Sequence, residues 1–179
     1  MTFATPYPYI SSPFQPPAPS SLMAWTQTHF NGLFLAETDE ARKAAFASSL
    51  SPNIQATVNQ VSATVDQILE HVALQRKGVR EKNGFTLKWL NCLEVVDKVY
   101  EDDQKTGLVG GWVYVSRYYD IANSTKPEVQ HAWAALHIKV EQDPAVEADD
   151  NSDQRQISVI YETSVDTSMF ASTALNDVD

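Results

Sequence analysis

The chain has 179 residues, 43% of them hydrophobic, a single cysteine and a formal net charge of −10. This length fits one domain with a sizeable core, and one cysteine excludes an internal disulfide. The negative charge, without a basic patch, argues against nucleic acid as a partner. No apolar run approaches the about 18 residues of a membrane span, and the sequence starts without the basic and apolar segments of a secretory signal. A cytoplasmic protein is therefore expected.

Residues 1–21, MTFATPYPYISSPFQPPAPSS, stand apart because they contain six of the nine prolines. Proline fixes φ and removes a backbone donor, so this segment is predicted to be an extended arm. Its aromatic residues suggest that the arm lies over the domain or over a partner. The rest is predicted to form one domain over residues 22–168 and a tail over residues 169–179.

Three helices are predicted in the first half of the domain. The first begins at Ser20 or Ser21 and runs to about Glu37, and the second, capped by Thr38 or Asp39, is short and ends at Ser51-Pro52. A short strand is predicted over residues 53–60.

The third helix begins after Ser62 or Thr64, and its apolar positions are Val65, Ile68, Leu69 and Val72. His71 falls outside that apolar stripe, so it is interpreted as a surface residue.

After Gly78 the hydrophobic period changes from 3.6 to 2, which is typical of strands. Short, turn-like links join the runs, so neighbouring strands are expected to be antiparallel. The order of elements predicts an α+β fold in which the helices pack on one face of a curved sheet. The predicted strands are Phe85–Val96, Gly110–Ala122, Val129–Gln142 and Gln156–Val165.

The run HAWAALHIKV, residues 131–140, alternates clearly but leaves its orientation open. The apolar residues of one face, such as Leu136 and Ile138, favour contact with the helices. The other face carries His131, Trp133 and His137, and these residues suit either a pocket or a subunit interface.

The sequence resembles the nuclear-transport-factor-2-like superfamily over about residues 22–168, and within it the group of SnoaL-like polyketide cyclases and scytalone dehydratases. The segments that carry the resemblance are SPNIQATVNQV, RYYDIANSTKPEVQHAWAALHIKV and RQISVIYETSVD. Alignment through Leu136-His137 would place His131 and Trp133 on the pocket side. The resemblance implies a cone-shaped α+β fold, its helices on the concave face of the sheet, with an apolar cavity between them. It also implies dimerisation through the outer sheet face and proton-transfer chemistry without a cofactor.

The sequence departs from the dehydratase pattern at each position that could be aligned. A strand histidine of the dehydratases aligns with Trp89, a second aligns near Ser116 or Arg117, and a pocket asparagine aligns with Ala135. The Tyr-Asp pair of their first helix is not found near residues 25–29. Dehydration of the scytalone type is therefore not expected.

Two histidines are the candidate acid–base groups, because histidine titrates near neutral pH. His29 follows Trp25 by one helical turn, and His131 lies on the alternating strand. Asp120 and Glu162 are possible carboxylate partners, although Glu162 is expected to face solvent. The residues predicted to bind the ligand are Trp25, Phe30, Trp89, Tyr114, Tyr118, Trp133 and His137.

Two functions are compatible with this pattern. The first is a cofactor-independent lyase, isomerase or cyclase that acts on a hydrophobic small molecule. The second is a non-catalytic binding or dimeric interaction module of the same fold. Neither a metal site nor a cofactor is expected, since His131 and His137 are six residues apart on an extended strand and could not bind one metal ion as a pair.

Overall fold

A computed structural model describes residues 21–81, 83–97, 105–122, 124–144 and 153–166. The described chain forms three helices and a six-stranded, mostly antiparallel curved sheet, which confirms the predicted α+β fold. Residues 1–20 and 167–179 lie outside the described residues. The proposed arm, apart from Ser21, and the C-terminal tail are therefore still predictions.

The three helices begin where the sequence predicts because a local hydrogen bond between a side chain and the backbone fixes each start. Ser21 and Thr38 each accept a hydrogen bond from the backbone three residues on, and Thr64 forms a capping box with Gln67. These caps satisfy backbone donors that have no partner inside the helix. The helices are α1 (Leu22–Leu35), α2 (Asp39–Ser49) and α3 (Val65–Arg76).

The sheet has the strand order β2-β1-β6-β5-β4-β3. Adjacent strands are antiparallel except for β1 and β6, which are parallel. The long hairpins give the antiparallel core of the sheet, as expected from the short links. The strands are β1 (Leu50–Val58), β2 (Val61–Ala63), β3 (Phe85–Val96), β4 (Gly107–Tyr119), β5 (Glu128–Gln142) and β6 (Arg155–Asp166).

The predicted strand boundaries hold within three residues, and one strand was missed. β4 begins at Gly107 and not at Gly110, and β1 begins at Leu50, directly after α2. The short strand β2 was missed because its three residues are too few to show a period. It pairs with the end of β1.

Two irregularities in strand pairing change which residues face the helices. The pairing of β5 with β6 shifts between Lys139 and Val140, so that Ile157 and Ile160 are both buried although their numbers differ in parity. A second shift interrupts β3 between Leu90 and Leu93, where Asn91 has a φ of 50°. An extra residue in one strand reverses the side on which all following side chains lie.

The core lies between the helices and the concave face of the sheet. On β5, Leu136, Ile138 and Val140 are at most 1% exposed. Of the two orientations that the sequence left open, the structure therefore has the one favoured by the hydrophobic pattern and not the one favoured by alignment through Leu136-His137. The helices contribute Leu22, Trp25, Phe30, Leu33, Phe46, Ile68 and Val72 to the same core. No helix among the described residues is long and apolar enough to cross a membrane.

Candidate functional site

A cavity of about 50 Å³ lies between the helices and the concave sheet face. Its apolar walls come from α1 (Phe30, Phe34), β3 (Phe85, Leu87) and β4 (Val113, Val115). This volume is far below the roughly 300–1,000 Å³ of pockets for drug-sized ligands. In the conformation described here the cavity therefore has room for only a few non-hydrogen atoms.

The polar wall of the cavity is the last part of β6. Glu162, Ser164 and Asp166 stand opposite Leu136, Ala134 and Ala132 of β5 and line the cavity with them. The expectation that Glu162 faces solvent was wrong, because its side chain is only 10% exposed. The shift in pairing at Val140 reverses the parity that the sequence indicates from Ile157 onward.

His71 approaches Glu162 from α3. The His71 Nε2 and Glu162 Oε1 atoms are 3.7 Å apart, and the His71 side chain is 32% exposed. Attraction of the imidazolium N–H to the Glu162 side chain is the main cause that raises the pKa of His71 above its ordinary value. Burial and the charge of Arg117 act in the opposite direction, and the carboxylate charge adds to the increase. The interpretation of His71 as a surface residue was therefore wrong.

Arg117 forms a second polar group next to this pair. Its side chain is 6% exposed, and its Nη2 atom donates a hydrogen bond to the Asp166 carboxylate. Its Nη1 atom donates to Gln75 Oε1 at 2.7 Å. Gln75 and His71 are one turn apart on α3, so both polar contacts join this helix to the sheet. The Nε atom of Arg117 is buried and has no hydrogen-bond partner among the described residues.

A histidine and a carboxylate on the wall of a largely apolar cavity can exchange a proton with a bound molecule. Such transfer requires a group that titrates near the working pH, and the apolar surroundings strengthen its electrostatic interactions. His71 Nε2 and Glu162 Oε1 meet on this wall at 3.7 Å. The arrangement is therefore chemically suited to acid–base catalysis.

His131, one of the two predicted catalytic residues, lies on the outer face of the sheet. Its Nδ1 atom is 2.7 Å from Tyr114 Oη and 3.2 Å from Ser116 Oγ. The Tyr114 ring also packs on Trp133, with centroids 4.5 Å apart. Trp133 is among the residues that line the cavity, together with its neighbours Ala132 and Ala134, but it is 40% exposed.

His29, the other predicted catalytic residue, lies on a side of α1 that does not line the cavity. Its ring stacks on Trp25 with centroids 4.1 Å apart, and its Nδ1 atom is 3.0 Å from Ser49 Oγ. Trp25 in turn packs under the Arg155 guanidinium at 5.0 Å. The structure thus separates His29 and His131 from each other and from the cavity, and their catalytic roles are still predictions.

The other residues predicted to bind a ligand fall on both sides of the sheet. Phe30 lines the cavity. The Trp89 ring packs edge-on against the Phe30 ring, with centroids 5.3 Å apart, and its indole N–H donates a hydrogen bond to Asn31 Oδ1 at 2.9 Å. Strand alternation places Tyr118 and His137 on the outer face with Tyr114. Asp120, offered as a carboxylate partner, is exposed and pairs with Arg80 at 3.8 Å.

The sequence did contain a signal for His71 that was not used. Ile68, His71, Val72 and Gln75 follow the spacing i, i+3, i+4, i+7, which marks one face of a helix. Of these residues Ile68 and Val72 are buried, and His71 and Gln75 line the cavity. No comparable signal identified Glu162, because the pairing shift in β6 is visible only in the sheet.

No group of three or more histidine, cysteine or acidic side chains among the described residues could hold a metal ion.

Comparison with known proteins gives similar folds and no sequence relatives. No family model and no curated protein matches the chain. Among solved structures, it is similar to a protein described as a SnoaL-like polyketide cyclase from Jannaschia sp. CCS1 (11% identity, TM-score 0.48, covering 90% of this chain and 98% of that one). It is also similar to ActVI-ORFA from Streptomyces coelicolor (11%, 0.49, 80% and 98%).

A third similar structure is the hexachlorocyclohexane dehydrochlorinase LinA-type3 from Novosphingobium barchaimii LL02 (13% identity, TM-score 0.45, covering 78% of this chain and 84% of that one). Proteins described as SnoaL-like and as nuclear-transport-factor-2-like, the groups that the sequence resembles, are among the matches. At these identities and TM-scores the likeness concerns the arrangement of helices and strands, and it carries no information about activity.

Proposed function

We propose that this protein is a cofactor-independent enzyme of the lyase, isomerase or cyclase type, which uses acid–base chemistry on a hydrophobic small molecule. The observation that carries the proposal is the His71–Glu162 pair, at 3.7 Å, on the wall of an otherwise largely apolar cavity. A histidine with a perturbed pKa on a cavity wall, such as His71, is a candidate for a catalytic role. In this proposal the pair accepts a proton from carbon and returns it to the same or a neighbouring atom.

The polar groups around the pair support this role. Gln75 lies one turn beyond His71 on α3 and is held by Arg117, so the helix is fixed against the sheet where the pair meets. Arg117 also keeps Asp166 in place at the end of the polar wall. A site held by rigid elements keeps its reacting groups aligned, which is a large part of the catalytic effect.

The first test is exchange of the methyl hydrogens of acetone in D₂O, followed by proton NMR. Acetone has four non-hydrogen atoms and suits the small cavity, and its exchange requires a base. We expect His71→Gln and Glu162→Gln each to lower the exchange rate about 100-fold or more, since a positioned general base contributes roughly 10²–10⁴-fold. Exchange no faster with the wild-type protein than with the double variant His71→Gln/Glu162→Gln would contradict the proposal.

The matched controls are His29→Gln and His131→Gln, which test the catalytic residues predicted from the sequence. Neither ring lies on the cavity wall in the arrangement described above, so we expect both variants to keep the wild-type exchange rate. Loss of exchange in either control, with His71→Gln unaffected, would assign the chemistry to that histidine and remove the cavity pair from the mechanism.

A second candidate function, a dimeric interaction module without catalysis, is favoured by a different observation. The outer sheet face exposes large apolar side chains, among them Trp112 (52%), Trp133 (40%) and Tyr161 (55%), and aromatic residues of this kind are enriched at interfaces. A homodimer through this face is part of both proposals. Cytoplasmic location is likewise proposed from the sequence alone.

Native mass spectrometry of the purified protein distinguishes the two candidates, because it reports the subunit count and any retained small molecule together. A dimer that carries a small apolar compound supports the enzyme. A dimer without a ligand, combined with no acetone exchange, supports the interaction module. A monomeric wild-type protein would contradict the dimer in both cases, and a dimer that persists in Trp112→Glu would contradict association through this face.

A further inference from the structure

The Glu162 carboxylate is an almost buried anion that faces the cavity. Its side chain is 10% exposed, and its ion-pair partner, His71 Nε2, lies at 3.7 Å, beyond hydrogen-bond distance. An ionised carboxylate offers about four acceptor positions and no donor. Among the described residues, no side chain donates a hydrogen bond to these oxygens within 3.5 Å, so a bound molecule that donates one would stabilise the nearly buried carboxylate.

The charges around the cavity are unfavourable for an anionic ligand. Glu162 and Asp166 contribute two negative charges and Arg117 one positive charge, so the site carries −1 with a neutral His71 and zero with a protonated one. The terminal nitrogens of Arg117 already donate to Gln75 and Asp166. A ligand carboxylate would therefore meet two acidic side chains and would have to displace one of these partners.

The other described lining residues carry no positive charge, and the Arg76 guanidinium lies behind the lining, stacked on Phe85 at 5.2 Å and bonded to the Phe34 carbonyl oxygen. On the cavity side, β5 presents Ala132, Ala134 and Leu136, and β1 contains no titratable residue. α1 contributes Phe30 and Phe34. Apart from the groups already named, the described lining is apolar, so a ligand would place its apolar body there and its polar group on β6.

The cavity volume limits the size of this ligand. At about 50 Å³ it has a third of the volume of a dry 150 Å³ cavity that binds benzene. A molecule of a few non-hydrogen atoms fits without rearrangement, and a ring compound requires the cavity to widen.

We propose that the cavity selects small neutral or cationic molecules over anions, and that it binds hydrogen-bond donors such as alcohols and primary amines most tightly, because Glu162 and Asp166 form its polar wall. This inference rests on the proposed function in taking the cavity as the functional site. It adds the chemical class of the ligand.

The test uses three inert probes with four non-hydrogen atoms each: propan-2-ol, isopropylammonium and acetate. The full-length protein is titrated with each probe at pH 8, and the methyl resonances of Leu87 and Val113 are followed by NMR. We expect the dissociation constants of propan-2-ol and isopropylammonium, obtained from these shifts, to be at least tenfold lower than that of acetate. In Glu162→Gln, the preference for isopropylammonium over acetate should fall at least fivefold.

Acetate binding as tight as the alcohol, or no shift with any probe, would overturn the inference. An unchanged preference in Glu162→Gln would also overturn it, and the spectrum of that variant shows directly whether it is folded. Because the probes do not react, this result is independent of catalysis. If acetone exchange fails and the ranking of the probes holds, the proposed catalysis is wrong and the proposed ligand class stands. If exchange is observed and the ranking fails, the ligand class is wrong and the catalysis stands.

Discussion

Replacing Asp166 by asparagine removes the charge that balances a nearly buried arginine. Arg117 is 6% exposed, and after the substitution its guanidinium faces two neutral amide oxygens, that of Gln75 and that of the new asparagine, with no carboxylate charge to balance it. Breaking a buried pair costs about 3–5 kcal/mol. Asp166 is itself 22% exposed, so water reaches the site and the lower end, about 3 kcal/mol, is expected. For a chain of this size that loss lowers Tm by about 6–12 °C.

Urea unfolding followed by circular dichroism measures the effect as a lower midpoint at an unchanged m-value. Asp120→Asn is the matched control, since Asp120 is 77% exposed and its partner Arg80 lies at 3.8 Å. We expect this control to stay within about 0.5 kcal/mol of the wild-type protein. The double variant Arg117→Met/Asp166→Asn should be more stable than Asp166→Asn alone, because it no longer buries an unpaired charge.

Two results would refute this reasoning. A loss below about 1 kcal/mol for Asp166→Asn would mean that the guanidinium reaches water or another acceptor. Strict additivity of Arg117→Met and Asp166→Asn would mean that the two side chains do not interact energetically, since contacting partners show coupling of about 0.5–3 kcal/mol.

Three further predictions concern stability. Because Glu162 raises the pKa of His71 in the folded protein, the pair stabilises the fold fully below the unfolded-state pKa of histidine, about 6.5, and this contribution disappears as pH rises through the folded-state pKa. The loss of unfolding free energy between pH 5.5 and 8.5 should therefore be smaller in His71→Gln than in the wild-type protein. An equal loss in both proteins would contradict this prediction. Thr64→Ala removes the side-chain acceptor of the α3 capping box and should cost about 1 kcal/mol in urea unfolding, whereas Thr64→Ser should cost much less. Gly84→Ala would bring a Cβ atom within 2.0 Å of the Arg80 carbonyl oxygen and should cost about 2–3 kcal/mol; unfolding within about 0.5 kcal/mol of wild type would show that the loop adjusts freely.

Features that depend on neighbouring residues could be read from the sequence. The caps at Ser21, Thr38 and Thr64 involve groups three residues apart, and all three helices begin there. The alternation of β5 likewise defined its two faces and favoured Leu136 and Ile138 for the inner one, but the sequence left the orientation of the strand open. Local chemistry and period therefore predicted the order and type of the main elements.

The candidate site depends on contacts between distant parts of the chain, and here the sequence was insufficient. His29 and His131 attracted attention because they accompany aromatic residues, yet they lie on other surfaces, bonded to Ser49 and to Tyr114. The residue that approaches a cavity carboxylate is His71, whose helical face is mixed in polarity. Residue type alone did not distinguish a histidine on the cavity wall from one on another surface.

The sequence by itself determined the α+β class and the three capped helices, since each follows from interactions within a few residues. Only the tertiary structure decided that Glu162 faces the cavity and meets His71. The physical reason is the pairing shift between β5 and β6: one extra residue reverses the parity of the strand, and it turns a row of polar side chains from the expected solvent face into the polar wall of the cavity.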